Sequence, residues 1–231
     1  MVNTQEYGQF CPIALASDIL GGRWTFLVLR ELLLGNARFN ELRRGLPRMS
    51  PALLSKRLKD LETNGLITRS VTNEPGVYDY RPTPAGEDLW QVIYALGIWG
   101  HRWIETKATL RNLDPSLLMW DMRRSIKTAH FPAGKSVIQF VYRDLSPEKQ
   151  NYWLIVNGSA VDACYIDPGF EVDVFVETDL ATMTKIWMGL DTVRAAMSAE
   201  RMNVTGDRRL IDGLQSWLGL SAFAPERKRV A

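Results

Sequence analysis

Eight basic side chains lie close together in the first third of the sequence, and their chemistry suits anion binding. Residues 38 to 69 carry eight Lys or Arg and three acids, a local net charge of +5 in a protein whose total is +2. The remaining residues therefore sum to −3, so the positive charge is concentrated. Such a cluster suits the phosphates of a nucleic acid. Its members are Arg38, Arg43, Arg44, Arg48, Lys56, Arg57, Lys59 and Arg69.

The two lysines of this cluster, Lys56 and Lys59, fall on a predicted helix whose two ends are marked in the sequence. Ser50 is a candidate N-cap, Pro51 suits the first helical position, and Asn64-Gly65 supplies a stop. Leucines at spacings of four and three share one face. The other face carries small or donor-bearing side chains, which lets a helix enter a major groove while staying attached to its domain. The inward residues are Leu54, Leu58 and Leu61, and the outward residues are Ala52, Ser55, Lys56, Lys59 and Thr63.

The elements around this helix form a recognisable order. Alternating residues predict strands over 67–72 and 77–81, joined by the turn Asn73-Glu74-Pro75-Gly76. Helix, turn, helix and hairpin in sequence make a winged helix-turn-helix, in which the helix after the turn reads bases and the hairpin, or wing, contacts phosphates or the minor groove. The earlier helices are predicted over 12–20, 24–34 and 39–44, the second with Arg30 and Glu31 toward solvent.

This fold predicts two kinds of DNA contact for individual residues. Arginines around the helix and the wing are expected to meet phosphates, and other residues of the helix and its cap are expected in or beside the groove. For some of them, pairing with Glu41, Asp60 or Glu62 is the alternative. We predict phosphate contacts for Arg43, Arg44, Arg48, Arg69 and Arg81, and groove positions for Ser50, Ser55, Lys56 and Lys59.

A long apolar helix is predicted after the wing. Thr83-Pro84 begins it, and it runs to about Lys107. Its apolar stripe is wider than is needed to close the wing, and the surplus indicates a dimer seam. The stripe consists of Leu89, Val92, Ile93, Leu96, Trp99 and Trp103.

Several motifs follow one another in order over residues 8 to 104. They are Cys11-Pro12-Ile13, Gly21-Gly22-Arg23-Trp24, Arg38-Phe39-Asn40-Glu41-Leu42, Ser50-Pro51-Ala52-Leu53-Leu54-Ser55-Lys56-Arg57-Leu58, Leu61-Glu62, Gly65-Leu66 and Thr83-Pro84-Ala85-Gly86. In this order they resemble HxlR-type transcriptional regulators. The resemblance implies a dimeric winged-helix protein that binds double-stranded DNA at imperfect palindromes, with terminal helices at the dimer interface.

Cys11 is a candidate redox residue because it immediately precedes Pro12 at the start of the first helix. The positive end of a helix dipole favours the reactive thiolate at such a position. Some HxlR-type relatives sense oxidants or electrophiles through a cysteine in this place. The alternative is a small, half-buried apolar residue with no such role.

The second half changes from helical to strand periodicity. After a polar linker over 108–114, a helix is predicted over 116–127, followed by strands and further helices in an α+β arrangement with an antiparallel sheet. Asn157-Gly158 marks a hairpin. The strands are predicted over 135–144, 151–157, 159–165, 170–177 and 202–205, with helices over about 179–189 and 207–218. The expected domains are therefore residues 1–107 and 115–231.

The order of elements over residues 115 to 223 is similar to that of a sterol-carrier-protein-type domain. That resemblance implies a sheet-and-helix sandwich enclosing an apolar pocket for lipid-like molecules. Large aromatics are the candidates to line the pocket, although the same residues could simply fill a core. They are Trp120, Phe140, Tyr142, Trp153, Trp187 and Trp217.

Other classes of function receive no support from the sequence. It contains no nucleophile elbow, P-loop or dinucleotide fingerprint, and neither His101 nor His130 has a metal-ligand pattern, so we expect no enzyme, cofactor or metal. No apolar run is long enough for a membrane span, and a polar start predicts a cytoplasmic location. The sequence thus predicts a dimeric, ligand-responsive DNA-binding regulator. The alternatives are a second domain that only dimerises or binds a partner, and a lipid-type carrier.

Overall fold

The structure is a computed structural model that describes residues 6–230. The chain divides into two compact units, one ending at Leu96 and the other beginning at Gly97. The division falls inside a helix and earlier than the predicted limit at residue 107, because the C-terminal segment packs on the second half of that helix. Among the described residues, no single helix is long and apolar enough to cross a membrane. Within residues 6–230, one pair of helices meets that test of length and composition when taken together: Pro12–Leu20 and Thr25–Leu33, which are bent by 83°.

The first unit has the predicted order of helices followed by a hairpin. Its buried side chains come from every helix and from the first strand, and they form one apolar cluster that includes Val28, Leu42, Leu54 and Ile67. The two strands pair antiparallel, with Ile67 opposite Pro82. The elements are α1 Pro12–Leu20, α2 Thr25–Leu33, α3 Phe39–Gly45, α4 Pro51–Thr63, β1 Ile67–Val71, β2 Tyr78–Pro82 and α5 Pro84–Trp103.

In α2 the expectation that Glu31 faces solvent was wrong. Its side chain is fully buried, where it accepts hydrogen bonds from Arg30 at 2.6 Å and from the Asn36 amide at 2.6 Å. The helix turns its Val28 and Leu32 face inward, while Leu27 stays 40% exposed. A carboxylate can occupy this core because a guanidinium and an amide replace the water it loses.

The second unit continues from α5 with strands and short helices. Its core lies between one face of a five-stranded sheet and the helices packed on it, and it includes Ile138, Phe140, Val176 and Met183. Its elements are α6 Thr106–Thr109, α7 Pro115–Ser125, β3 Lys135–Tyr142, β4 Asn151–Asn157, β5 Ala160–Cys164, β6 Val174–Thr178, α8 Leu180–Trp187, α9 Val193–Ser198, β7 Met202–Gly206, α10 Arg208–Asp212 and α11 Leu214–Trp217, with 3-10 turns at Leu110–Asn112 and Thr128–His130.

The sheet is mixed, so the prediction of an antiparallel sheet was wrong at one pair of strands. The strand order is β5-β4-β3-β6-β7, and β6 lies parallel to β3, with Phe140 opposite Val176. Two hairpins leave β5 running in the direction of β3. The segment over 165–173 then carries the chain to the free edge of β3 and back toward the start of that strand. Val174, the first residue of β6, lies opposite Ile138, so β6 runs parallel to β3. Strand β7 then pairs antiparallel with β6, as the other neighbouring strands of the sheet do.

The helices of the second unit also differ in extent from the prediction. The single final helix predicted over 207–218 is broken at Gly213 into α10 and α11. Helix α5 ends at Trp103 rather than near Lys107. Helix α9 was not predicted, because its six residues are too few to show a clear period. Asp179 caps α8 by accepting from the Thr182 amide at 2.7 Å.

The C-terminal segment, residues 219–230, packs on the second half of α5. Phe223 lies so close to Gly97 that a Cβ at that glycine would be 2.3 Å from the ring. Arg102 forms an ion pair with Glu226, and the Arg229 amide donates to the Arg102 carbonyl at 2.8 Å. These contacts join the last residues of the chain to the helix within the second unit.

Candidate nucleic-acid interface

Helix α4 is held to the core on one face and open on the other. The Leu53 amide donates to the Ser50 hydroxyl at 3.3 Å, with Pro51 in the first turn, so the predicted N-terminal cap is present. The three inward leucines are buried, with at most 1% of each exposed. Lys56 and Lys59 are both exposed. The helix can therefore present its lysines to a duplex without being displaced from its core.

The residues predicted to contact DNA share one property in the structure, which is that their side chains are exposed. They come from α3, the turn after it, α4 and both strands of the wing. This places donors on the helix predicted to read bases and on the hairpin predicted to meet the backbone. The exposed residues are Arg43, Arg44, Arg48, Ser50, Ser55, Lys56, Lys59, Arg69 and Arg81.

The wing arginines already have partners within the unit. Arg69 lies 3.7 Å from the Glu62 carboxylate, and its guanidinium stacks 4.7 Å from the centre of the Tyr78 ring. Arg81 lies 3.7 Å from Asp79. The expected alternative of pairing with Glu62 is thus observed for Arg69. Within residues 6–230, by contrast, no ion pair engages Arg43, Arg48, Lys56 or Lys59.

Arg57 belongs to the basic cluster but has a structural role that charge counting missed. Its Nε donates to the Arg23 carbonyl at 3.0 Å, and a terminal nitrogen donates to Asp60 at 2.8 Å. A Cβ at Gly22 would lie 3.0 Å from its guanidinium carbon. The arginine therefore fixes the turn before α2 against α4. Its position beside Leu61 on the helical wheel, at the edge of the inward leucine face, was the available signal.

A groove of about 670 Å³ opens between α3, α4 and the wing. Basic, polar and aromatic side chains all line it, which suits a sugar-phosphate backbone passing beside the helix predicted to read bases. Ser55 reaches the groove from α4, so the groove borders the predicted reading face. It is lined by Arg38, Phe39, Asn40, Glu41, Arg44, Ser55, Glu74, Gly76, Val77, Tyr78 and Tyr80.

The aromatics predicted to line an apolar pocket do not all meet. Phe140, Tyr142 and Trp217 are fully buried in the core of the second unit, and the partly buried Trp187 packs against that core. Trp153 pairs with Gln139 on the opposite face of the sheet, because successive strand residues alternate between faces, so it cannot line the same cavity. Trp120 is buried outside that core cluster, with the Arg123 guanidinium 3.8 Å from its ring centre.

Cys11 is the residue that precedes α1 as its N-cap, and it is partly exposed. Its thiol makes no capping hydrogen bond. Its assignment as a redox sensor stays a prediction, which the rate of thiol alkylation would check against that of an unperturbed cysteine. Among the described residues, no group of three His, Cys, Asp or Glu side chains is arranged to hold a metal ion.

Comparison with known proteins gives matches to helix-turn-helix regulators. An uncharacterized HTH-type transcriptional regulator of Synechocystis is 38% identical over 104 residues, which cover 45% of this chain and 77% of that protein. The uncharacterized HTH-type transcriptional regulator YvaP of Bacillus subtilis is 37% identical over 99 residues, covering 42% of this chain and 92% of that protein. The reduced form of the B. subtilis regulator YodB is 33% identical over 40% of this chain and 92% of that chain, with a TM-score of 0.35.

The capped helix, its exposed lysines and the wing define a winged helix-turn-helix DNA-binding protein. The sequence profile described as HxlR-like helix-turn-helix matches residues 19–108. The chain belongs to this family and is a DNA-binding transcriptional regulator. The matched region ends close to the end of α6, so the sheet of the second unit lies outside it.

Proposed function

We propose that this protein is a homodimeric transcriptional regulator that reads operator DNA with α4 and binds an apolar small-molecule effector in its second unit. The observation that carries the DNA-reading part is the pair of exposed lysines on a helix anchored by buried leucines. Lys56 and Lys59 are three residues apart, so both face the same groove. The arginines of the wing would add contacts to the flanking backbone.

The DNA-reading part is tested by the affinity for a duplex that the protein itself selects from random sequences. We expect Lys56→Ala with Lys59→Ala to weaken binding, and to reduce the slope of log affinity against log salt concentration by about 0.9 for each phosphate no longer neutralised. Fluorescence anisotropy over a range of salt concentrations measures both quantities. The matched control is Lys127→Ala with Lys149→Ala, two exposed lysines of the second unit. Full affinity in the Lys56 and Lys59 variant would show that another face reads DNA.

The effector-binding part rests on the composition of the second core. Four methionines are buried in it beside Phe140 and Trp217, and methionine side chains adapt readily to the shape of a guest. The Tyr142 hydroxyl is fully buried and donates to the thioether of Met119 at 3.3 Å, a weak acceptor. A carbonyl or carboxylate oxygen would be a better one. The resemblance to a sterol-carrier-protein-type domain supports the same class of ligand.

A fluorescent fatty acid tests the effector-binding part with the full chain. We expect saturable uptake, weaker in Tyr142→Phe, together with a change in affinity for the selected duplex. The change follows because a ligand shifts an equilibrium only when it binds the two states unequally. Absence of uptake would leave the second unit as a dimerisation or partner module. Uptake without any change in DNA affinity would favour a lipid carrier.

A further inference from the structure

Four charged residues form a chain that joins the start of α3 to the wing. Arg38, the N-cap residue of α3, lies 3.2 Å from the Glu74 carboxylate in the turn of the wing and 3.8 Å from Asp79 on β2. Asp79 in turn lies 3.7 Å from Arg81. The Oδ1 atom of Asp79 is buried and has no hydrogen-bond partner among residues 6–230. The positive charge of the Arg38 guanidinium, 3.8 Å away, therefore offsets part of the cost of burying this oxygen.

Backbone contacts also join the start of α3 to the wing. The Tyr80 amide donates to the Ala37 carbonyl at 2.9 Å, and Arg38 forms an isolated antiparallel bridge with Asp79. Glu41 accepts from the Ala37 and Arg38 amides at 3.0 and 2.9 Å, which fixes this segment to the first turn of α3. Residues 37 and 38 thus pair with β2 through an isolated bridge. The Arg38 side chain extends that contact to the turn at the tip of the wing.

We infer that Arg38 is a positioning residue for DNA recognition, which sets the wing at its angle to α3 and α4 through Glu74 and Asp79. It therefore helps Arg69 and Arg81 to meet the backbone while α4 reads bases. The planar guanidinium suits this role because it can face two carboxylates at once, which an ammonium on a flexible stem does less well. This inference rests on the proposed reading of DNA by α4 and the wing.

Neutralising Glu74 separates this role from a simple effect of charge. Removing an acid near a DNA-binding face should strengthen binding if only net charge matters, because DNA is a polyanion. If Glu74 holds Arg38 and the wing, the same change should weaken binding instead. The two accounts thus predict opposite signs for one substitution, and the exposure of Glu74 makes loss of folding a minor concern.

The experiment measures affinity for the duplex selected by the unmodified protein. We expect Glu74→Gln to weaken binding about two- to fivefold, the range of an exposed ion pair, and Arg38→Lys to weaken it although the charge is kept. Glu87→Gln is the control, since Glu87 is an exposed acid on α5 outside the network. It should leave affinity unchanged or raise it. Thermal unfolding of each variant shows whether the unit stays folded.

A double-variant cycle gives a second test. Arg38→Ala and Arg81→Ala should each weaken binding, and the combined variant should lose less than the product of the two losses, because Arg38 acts partly through the wing. Unchanged or tighter binding by Glu74→Gln, or strictly multiplicative losses in the cycle, would overturn the inference while leaving DNA binding intact. If the unmodified protein selects no duplex, the proposed function itself fails, which is a different outcome.

Discussion

Glu31 is an acidic residue that lies fully buried beside the apolar core of the first unit. A fully buried carboxylate is costly unless its lost hydration is replaced. Here Arg30 and Asn36 supply that replacement, and Gly45 leaves the space the carboxylate occupies, because a Cβ at Gly45 would be 2.0 Å from Glu31 Oε2. The ion pair and the glycine together tie α2 to the end of α3. The two helices thus share one polar contact inside an apolar core.

Gly45→Ala should destabilise the protein by about 1–3 kcal/mol, because the added methyl group must displace a buried and hydrogen-bonded carboxylate. Chemical denaturation followed by circular dichroism measures the free energy of unfolding. Gly100→Ala is the control, since the nearest atom to its Cβ would be 3.6 Å away and an alanine in a helix interior stabilises by about 0.5–1 kcal/mol. The contact is refuted if Gly45→Ala costs the same after Glu31→Ala has removed the carboxylate.

The burial and hydrogen bonding of an individual residue could be predicted from the sequence where its neighbours along the chain determine them. Ser50 and the leucines of α4 follow from capping and periodicity, and the structure confirms both. Glu31 and Arg57 did not follow, because their partners Asn36 and Arg23 lie on other segments, and only the folded chain brings them together. A single sequence gives charges but not the neighbours that neutralise them.

At the scale of elements, strand positions were predictable and sheet order was not. The alternation of residues located β4 at its observed bounds. The parallel pairing of β3 with β6 depends on the route of the segment over 165–173, which carries no periodic signal. The contact of the C-terminal segment with α5 was missed for the same reason. The C-terminal segment is short and irregular, so its sequence has no periodic pattern. Its contact with α5 depends on Gly97, which leaves room for the Phe223 ring.

His101 lies on α5 where the C-terminal segment covers the helix. Its ring is 6% exposed, and neither nitrogen has a hydrogen-bond partner among the described residues. Burial, and secondarily the Lys228 ammonium, lower the pKa of His101 below its ordinary value of 6.5, against an opposing effect of the Glu226 carbonyl and carboxylate. The imidazole is therefore held neutral in the folded protein near neutral pH.

Acid should weaken the folded state through this residue. Because the pKa of His101 is lower in the folded than in the unfolded state, the unfolded chain binds more protons just below pH 6.5. Stability is therefore full above that pH and is lost as pH falls toward the folded pKa. We expect the melting temperature to drop between about pH 7.5 and about pH 5.5, and to drop less in His101→Leu. His130→Gln should keep the drop, and an equal drop in His101→Leu would contradict this account.

At the scale of the whole molecule, helix α5 leaves four large apolar side chains exposed. Val92, Leu96, Trp99 and Trp103 are spaced by four, three and four residues, so they share one face, and each is 48–57% exposed. A contiguous exposed stripe with two tryptophans is typical of a protein interface. Helix α1 also exposes Ile13 and Leu15, at 76% and 53%. Both observations agree with the proposed dimer built from terminal helices.

Leu96→Glu with Trp99→Glu should convert the dimer to monomers, because two carboxylates per chain would be buried without partners in the seam. Light scattering coupled to size-exclusion chromatography measures the mass, and anisotropy measures affinity for the selected duplex. A monomer can occupy only one half-site, so binding should weaken by about a hundredfold, since the two reading helices no longer act together. Ile166→Glu is the control, because Ile166 is 83% exposed but lies in a loop outside α5. A double-Glu variant that keeps its dimer mass would place the interface elsewhere, and one that dissociates yet keeps its affinity would show that a single α4 is sufficient for recognition.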